Sequence, residues 1–151
     1  MFVSAKNNRI INNNISTPIY GIHSYANSDN NTISNNNISV DSNAIYLTGN
    51  SDNIITENTI SAEEEYGIEL DQSSRNIITN NNISVDNYTI ALERSDNNTI
   101  SNNNLSADVS VGIFIEDSLN NNITDNEIDV SQFGIRLTTN AWNNIFLNNN
   151  I

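Results

Sequence analysis

Apolar and polar positions along this chain recur with a fixed wavelength. One eight-residue block, in essence Asn-x-Ile-x-x-Asn-x-Ile, occurs seven times: Asn8 to Ile15, Asn31 to Ile38, Asn53 to Ile60, Asn76 to Ile83, Asn98 to Leu105, Asn121 to Ile128 and Asn144 to Ile151. Successive starts lie 23, 22, 23, 22, 23 and 23 residues apart, with no insertion inside the block. A constant period of this size is the mark of a solenoid. Between blocks a second apolar signal repeats, as Gly21-Ile-His-Ser24, Ala44-Ile-Tyr-Leu47, Gly67-Ile-Glu-Leu70, Thr89-Ile-Ala-Leu92, Gly112-Ile-Phe-Ile115 and Gly134-Ile-Arg-Leu137. All length variation falls in two connecting turns, where insertions cost little.

Spacing within the block predicts short strands. Asn31 and Ile33 are two apart, as are Ile38 and Val40, and alternate residues of a strand share a face. The step from Ile33 to Ile38 is odd, so a bend must intervene if both point inward. Asn36 is expected at that bend in left-handed backbone, which Asn tolerates better than other non-Gly residues. Asn13, Asn58, Asn81, Asn103, Asn126 and Asn149 fill the same slot. Each period therefore reads as three short strands wound into a triangular coil, with parallel pairing between coils and no helix. Identical inward Asn side chains, about 4.8 Å apart, can bond up the stack as a ladder. The absence of any Asn-Gly dipeptide counts against a meander of tight hairpins.

Composition then excludes several partners. Of 151 residues 35 are Asn and 24 are Ile, a skew whose periodicity separates it from disordered low complexity. Five Lys and Arg against 18 Asp and Glu give a net charge of −13, which disfavours nucleic acid and anionic membranes as partners. There is no Cys, hence no disulfide scaffold and no thiolate metal site. No apolar run approaches the roughly 18 residues of a membrane span. The opening segment, Met1 to Lys6, is too short and polar for a secretion signal.

The repeated Asn-x-Ile-x-x-Asn-x-Ile followed by Gly-Ile-x-Leu resembles the right-handed parallel β-helix repeats of NosD-like periplasmic and cell-surface proteins. Those are distant relatives of the pectate lyase and polygalacturonase superfamily. The likeness runs from Asn8 to Ile151. It implies an all-β fold: a single-stranded right-handed parallel β-helix solenoid of about six and a half coils of 22–23 residues, as one domain over 1–151. It also implies an extracellular or cell-envelope location and a carbohydrate groove along one face. The paired Asp of polygalacturonases is missing, as are the Arg-x-Pro-x-x-Arg and lysine base of pectate lyases. The copper association of some NosD-like proteins gains no support, because the one His, His23, has no His or Cys companion.

Function is sought at outward positions. On the Gly-Ile-x-Leu strand these differ from coil to coil, whereas the other faces repeat Asn, Ser and Thr. Tyr46, Glu69, Asp71, Glu93, Phe114 and Glu116 form the candidate ligand face, since aromatic rings stack on sugar rings while carboxylates bond to hydroxyls. Asp71, Glu93 and Glu116 fall on consecutive coils and are a weak candidate Ca²⁺ site; no other cofactor is expected. The expected role is a surface or extracellular scaffold that binds a polysaccharide or glycan. The alternatives are a polysaccharide lyase or glycoside hydrolase fragment using the same acids, or a structural spacer. Ile151 halts partway round a coil and neither end carries a recognisable cap, so the chain reads as a piece of a longer protein or as one that packs end to end with itself.

Overall fold

The computed structural model describes residues 5–151; Met1–Ser4, part of the segment weighed above as a secretion signal, lie outside it. Every described regular element is a short strand. The first strand of each coil belongs to a seven-stranded sheet: β1 (Arg9–Ile11), β4 (Thr32–Ser34), β7 (Ile54–Thr56), β10 (Ile77–Thr79), β13 (Thr99–Ser101), β16 (Asn122–Thr124) and β19 (Ile145–Leu147). The second strands, β2 (Asn14–Thr17), β5 (Asn37–Val40), β8 (Thr59–Ala62), β11 (Asn82–Val85), β14 (Asn104–Ala107) and β17 (Glu127–Val130), form a six-stranded sheet. The third strands, β3 (Tyr20–Ser24), β6 (Asn43–Thr48), β9 (Tyr66–Asp71), β12 (Tyr88–Glu93), β15 (Val111–Glu116) and β18 (Phe133–Leu137), form another. All pairing is parallel and in register with the repeat: Ile78 stands between Ile55 and Ile100, and Ile83 between Ile60 and Leu105.

Each complete inner coil buries about five aliphatic side chains. In the fourth these are Ile78, Ile83, Val85, Ile90 and Leu92, at most 4% exposed. The core is therefore a stack of nearly identical layers.

Two Asn ladders run the length of the molecule, as the spacing predicts. Asn81 donates from its backbone N and from Nδ2 to Oδ1 of Asn103, at 3.0 and 3.1 Å, and its own Oδ1 accepts the same pair from Asn58. Its Nδ2 also donates to the Ile55 carbonyl at 3.0 Å. The second ladder climbs through Asn31, Asn53, Asn76, Asn98, Asn121 and Asn144. A third, absent from the sequence-based expectation, links Ser28, Asn50, Ser73, Ser95 and Ser118 at the corner before the block. Its signal was a Ser or Asn three residues ahead of the block's first Asn.

The bend itself corrects one expectation. Positive φ falls not on Asn36 and its equivalents but on the residue before each: Asn12, Asn35, Glu57, Asn80, Asn102, Asp125 and Asn148. The same holds at the other two ladders, where Arg94 (φ 49°) precedes Ser95 and Asn97 (φ 57°) precedes Asn98. One left-handed, outward-facing residue shifts the strand alternation by a single step. The next side chain is then delivered inward, where a ladder residue is needed.

Candidate functional site

The third sheet starts with a local irregularity that makes its face unlike the others. Gly67 and Ile68 are consecutive buried residues, so alternation breaks at the start of β9 and Tyr66 reaches the surface instead of the core. A Cβ on Gly67 would lie 2.5 Å from Ile83 Cγ2 and 2.6 Å from the Thr89 carbonyl oxygen. That corner is too tight for a side chain. Tyr88 sits in register with Tyr66, and their rings stack with centroids 5.2 Å apart. Neither tyrosine is among the candidates read from sequence, because period-two spacing from Ile68 and Ile90 points both inward.

All six candidate ligand residues lie half-buried on this one face. Tyr46 stacks on His23 at 4.7 Å and on Tyr20 at 6.0 Å, and Tyr25 packs against His23 at 4.1 Å. Phe114 belongs to a second aromatic group, 5.6 Å from Tyr88, with the Arg136 guanidinium 5.9 Å above its ring. Glu69 separates the groups: it is the register partner of Tyr46 on one side and of the small Ala91 on the other. The outward positions of the other two sheets carry no aromatic residue; they are mostly Asn, Ser and Thr, with scattered Ile and acids, Arg9 and Leu147.

The acids are not equivalent. Asp71, Glu93 and Glu116 are in register on consecutive strands. Arg94 pairs with Asp71 at 2.5 Å and lies 3.8 Å from Glu93, while Glu116 accepts a hydrogen bond from Thr138 Oγ1 at 3.1 Å. A guanidinium thus stands where the Ca²⁺ reading placed a cation, and no group of three possible metal ligands occurs among the described residues. Arg94, a left-handed turn residue, could not be placed there from sequence alone.

Glu69 is different again. Its Oε2 accepts from Asn43 Nδ2 at 2.6 Å, but no Lys or Arg among the described residues pairs with it. Burial, reinforced by the neighbouring Glu93, Asp71 and Glu65 charges, pushes its carboxyl up to about 7. Burial likewise raises Glu93. Tyr66 is pushed up to about 12 by burial and by the Glu69 charge, and Tyr46 is raised for the same reasons. Burial lowers His23, whose Nε2 is enclosed without a hydrogen-bond partner, so the ring is neutral near pH 7.

The family model described as "Periplasmic copper-binding protein (NosD)" matches residues 1–151. The chain belongs to the NosD family. Among solved structures it is similar to the periplasmic alginate epimerase AlgG, in a T265N T268M double mutant, with a TM-score of 0.71 and 18% identity. That match covers 95% of this chain and 43% of the epimerase chain, so the NosD-family chain spans less than half the length of that relative. At such low identity the shared feature is the right-handed parallel β-helix. No curated protein matches the chain. Copper favours thiolate, thioether and imidazole ligands, whereas this chain has no Cys, one Met, which lies outside the described residues, and one His. The side chains packed on that His are tyrosines. The residues do not fit the metal, and no chemistry through copper is derived. No helix is long and apolar enough to cross a membrane among the described residues.

Proposed function

We propose that this NosD-family chain is a β-helix binding module of the cell envelope or extracellular space that recognises carbohydrate along the face of the third sheet. The observation that carries the reading is the segregation of side chains. Aromatic rings and carboxylates concentrate on this face, while the other two repeat short polar residues. Rings at Tyr46, Tyr88 and Phe114 offer flat apolar surfaces to sugar rings, and Glu69, Asp71, Glu93 and Glu116 offer acceptors to hydroxyls. The rest of the molecule is a rigid stack, which suits a preorganised binding surface. The fold shared with a carbohydrate-modifying enzyme supports this choice as analogy.

A second reading draws on Glu69 alone. A carboxyl near 7 is matched to proton transfer at neutral pH, so the same face could serve a lyase or hydrolase as acid or base. A glycan array followed by product analysis separates the readings. Binding without product, weakened at least tenfold by Tyr46→Ala or Phe114→Ala, supports the module. Product release that disappears in Glu69→Gln supports the enzyme. Neither binding nor turnover leaves a structural spacer.

A further inference from the structure

Glu69 occupies a niche whose chemistry is more specific than that of a sugar-binding surface in general. One carboxyl oxygen, Oε2, is held by Asn43 Nδ2, and the other receives no protein hydrogen bond. Tyr46 is its cross-strand neighbour, and the Tyr66 ring, backed by Tyr88, lies at the start of its own strand. The charged groups around it are Glu65, Asp71 and Glu93, and the nearby guanidinium, Arg94, is committed to Asp71 and Glu93. The niche therefore combines a carboxyl group that no cation among the described residues pairs with, electron-rich aromatic neighbours and a negative surround. Each attracts a positive group: the carboxylate through a charge-assisted hydrogen bond, the rings through cation–π attraction, and the chain's charge of −13 through long-range steering.

We infer that the niche around Glu69, with Tyr46 across the strand pair and Tyr66 on its own strand, takes an organic ammonium group, and that the glycan bound on this face is an amine-bearing polymer of de-N-acetylated amino sugar. This rests on the carbohydrate reading above and sharpens it. A uronic-acid polymer carries one carboxylate per sugar and would meet Glu69, Glu93 and Glu116 with like charge. A polymer of protonated amino sugars reverses that sign. Running along the solenoid axis, an extended polymer advances per sugar by nearly the spacing of one coil, about 4.8 Å. Successive sugars then meet the acids of successive coils.

The test is titration calorimetry of the whole chain at neutral pH and fixed ionic strength. The probes are a glucosamine hexamer, its N-acetylated counterpart, a galacturonate hexamer and free choline. The glucosamine hexamer is expected to bind at least tenfold tighter than the N-acetylated one, with no binding of galacturonate. Glu69→Gln, nearly isosteric and still able to accept from Asn43, is expected to erase that preference while the β-sheet circular dichroism stays unchanged. Should that variant misfold, Tyr46→Leu is expected to weaken the glucosamine hexamer and choline by a similar factor, about fivefold. Equal affinity for the two hexamers, tighter binding of galacturonate, or a preference that survives in Glu69→Gln overturns the ammonium inference and leaves the glycan reading standing. Choline binding with no glycan binding supports the ammonium niche and removes the glycan reading. Silence from all four probes overturns both.

Discussion

At the scale of single residues, the molecule depends on amides that would be a liability in any other core. Asn81 is 2% exposed, and burying an unpaired amide is costly. Here its Oδ1 and Nδ2 are satisfied by the coils above and below, so it acts as a rivet between three layers. Asn81→Ala leaves the Asn58 backbone N–H without its acceptor and removes the amide donor to the Ile55 carbonyl. The expected loss is about 1–3 kcal/mol, read as a lower urea midpoint. Glu69 behaves oppositely, because its charged form is disfavoured by folding. Its carboxyl titrates near 7 in the folded chain against an ordinary 4.5. Between those values the folded state holds more proton than the unfolded state, so this residue's contribution to stability declines as pH rises from about 4.5 to 7. Glu69→Gln removes that decline. Melts in a pH series are expected to show the variant gaining on the parent by about 1–3 kcal/mol between acid and alkaline limits. A constant difference across the series would remove the burial argument for this carboxyl.

At the scale of the element, corners rather than strands decide the geometry. Every strand is short, and each ladder corner hinges on one residue with positive φ. Most such positions are Asn or Asp, which tolerate left-handed backbone, but Glu57, Gln72, Arg75 and Arg94 also sit there. Gln72, with φ of 51°, makes no side-chain hydrogen bond that Gly would forfeit. Gln72→Gly is therefore expected to stabilise the chain by about 0.5–1 kcal/mol, left-handed relief outweighing the entropy of Gly, measurable as a raised urea midpoint. Gly67 marks the opposite constraint, close approach instead of φ. Gly67→Ala must displace Ile83 or the Thr89 carbonyl and is expected to cost about 1–3 kcal/mol. Because that corner brings out Tyr66, the same variant also tests whether the aromatic face survives a shift of its strand.

At the scale of the whole molecule, stability is a sum over layers. Each coil contacts mainly the coils before and after it, so the chain approximates a one-dimensional stack. Deleting residues 76–97, one full period, joins Asn53's coil to Asn98's in the same register. The shortened chain is expected to keep its β-sheet circular dichroism. Its urea m-value should fall roughly in proportion to the lost surface. Loss of all structure would show that the coils are not interchangeable layers.

Much of this was legible in the residues themselves. A period of 22 or 23 with an uninterrupted block dictates layers, since equivalent residues can share one environment only if they stack. The inward Asn slots followed from the odd step between Ile33 and Ile38. The face worth examining followed from where the repeat stops repeating, at Tyr46, Glu69, Asp71, Glu93, Phe114 and Glu116. What sequence could not supply was whatever departs from the alternation or joins non-equivalent residues of neighbouring coils. The left-handed residue falls one place before the ladder Asn because the chain must turn before it can point an amide inward. Arg94 takes the cation's place beside Asp71 through a turn whose outward direction no periodicity encodes. Tyr66 and Tyr88 surface because two consecutive residues turn inward after each, Gly67 with Ile68 and Thr89 with Ile90. Amino-acid order determined the period, the core and the ladders through local spacing. Only the wound chain decided which acids meet a guanidinium and which one remains unpaired, because those partners lie a whole coil apart.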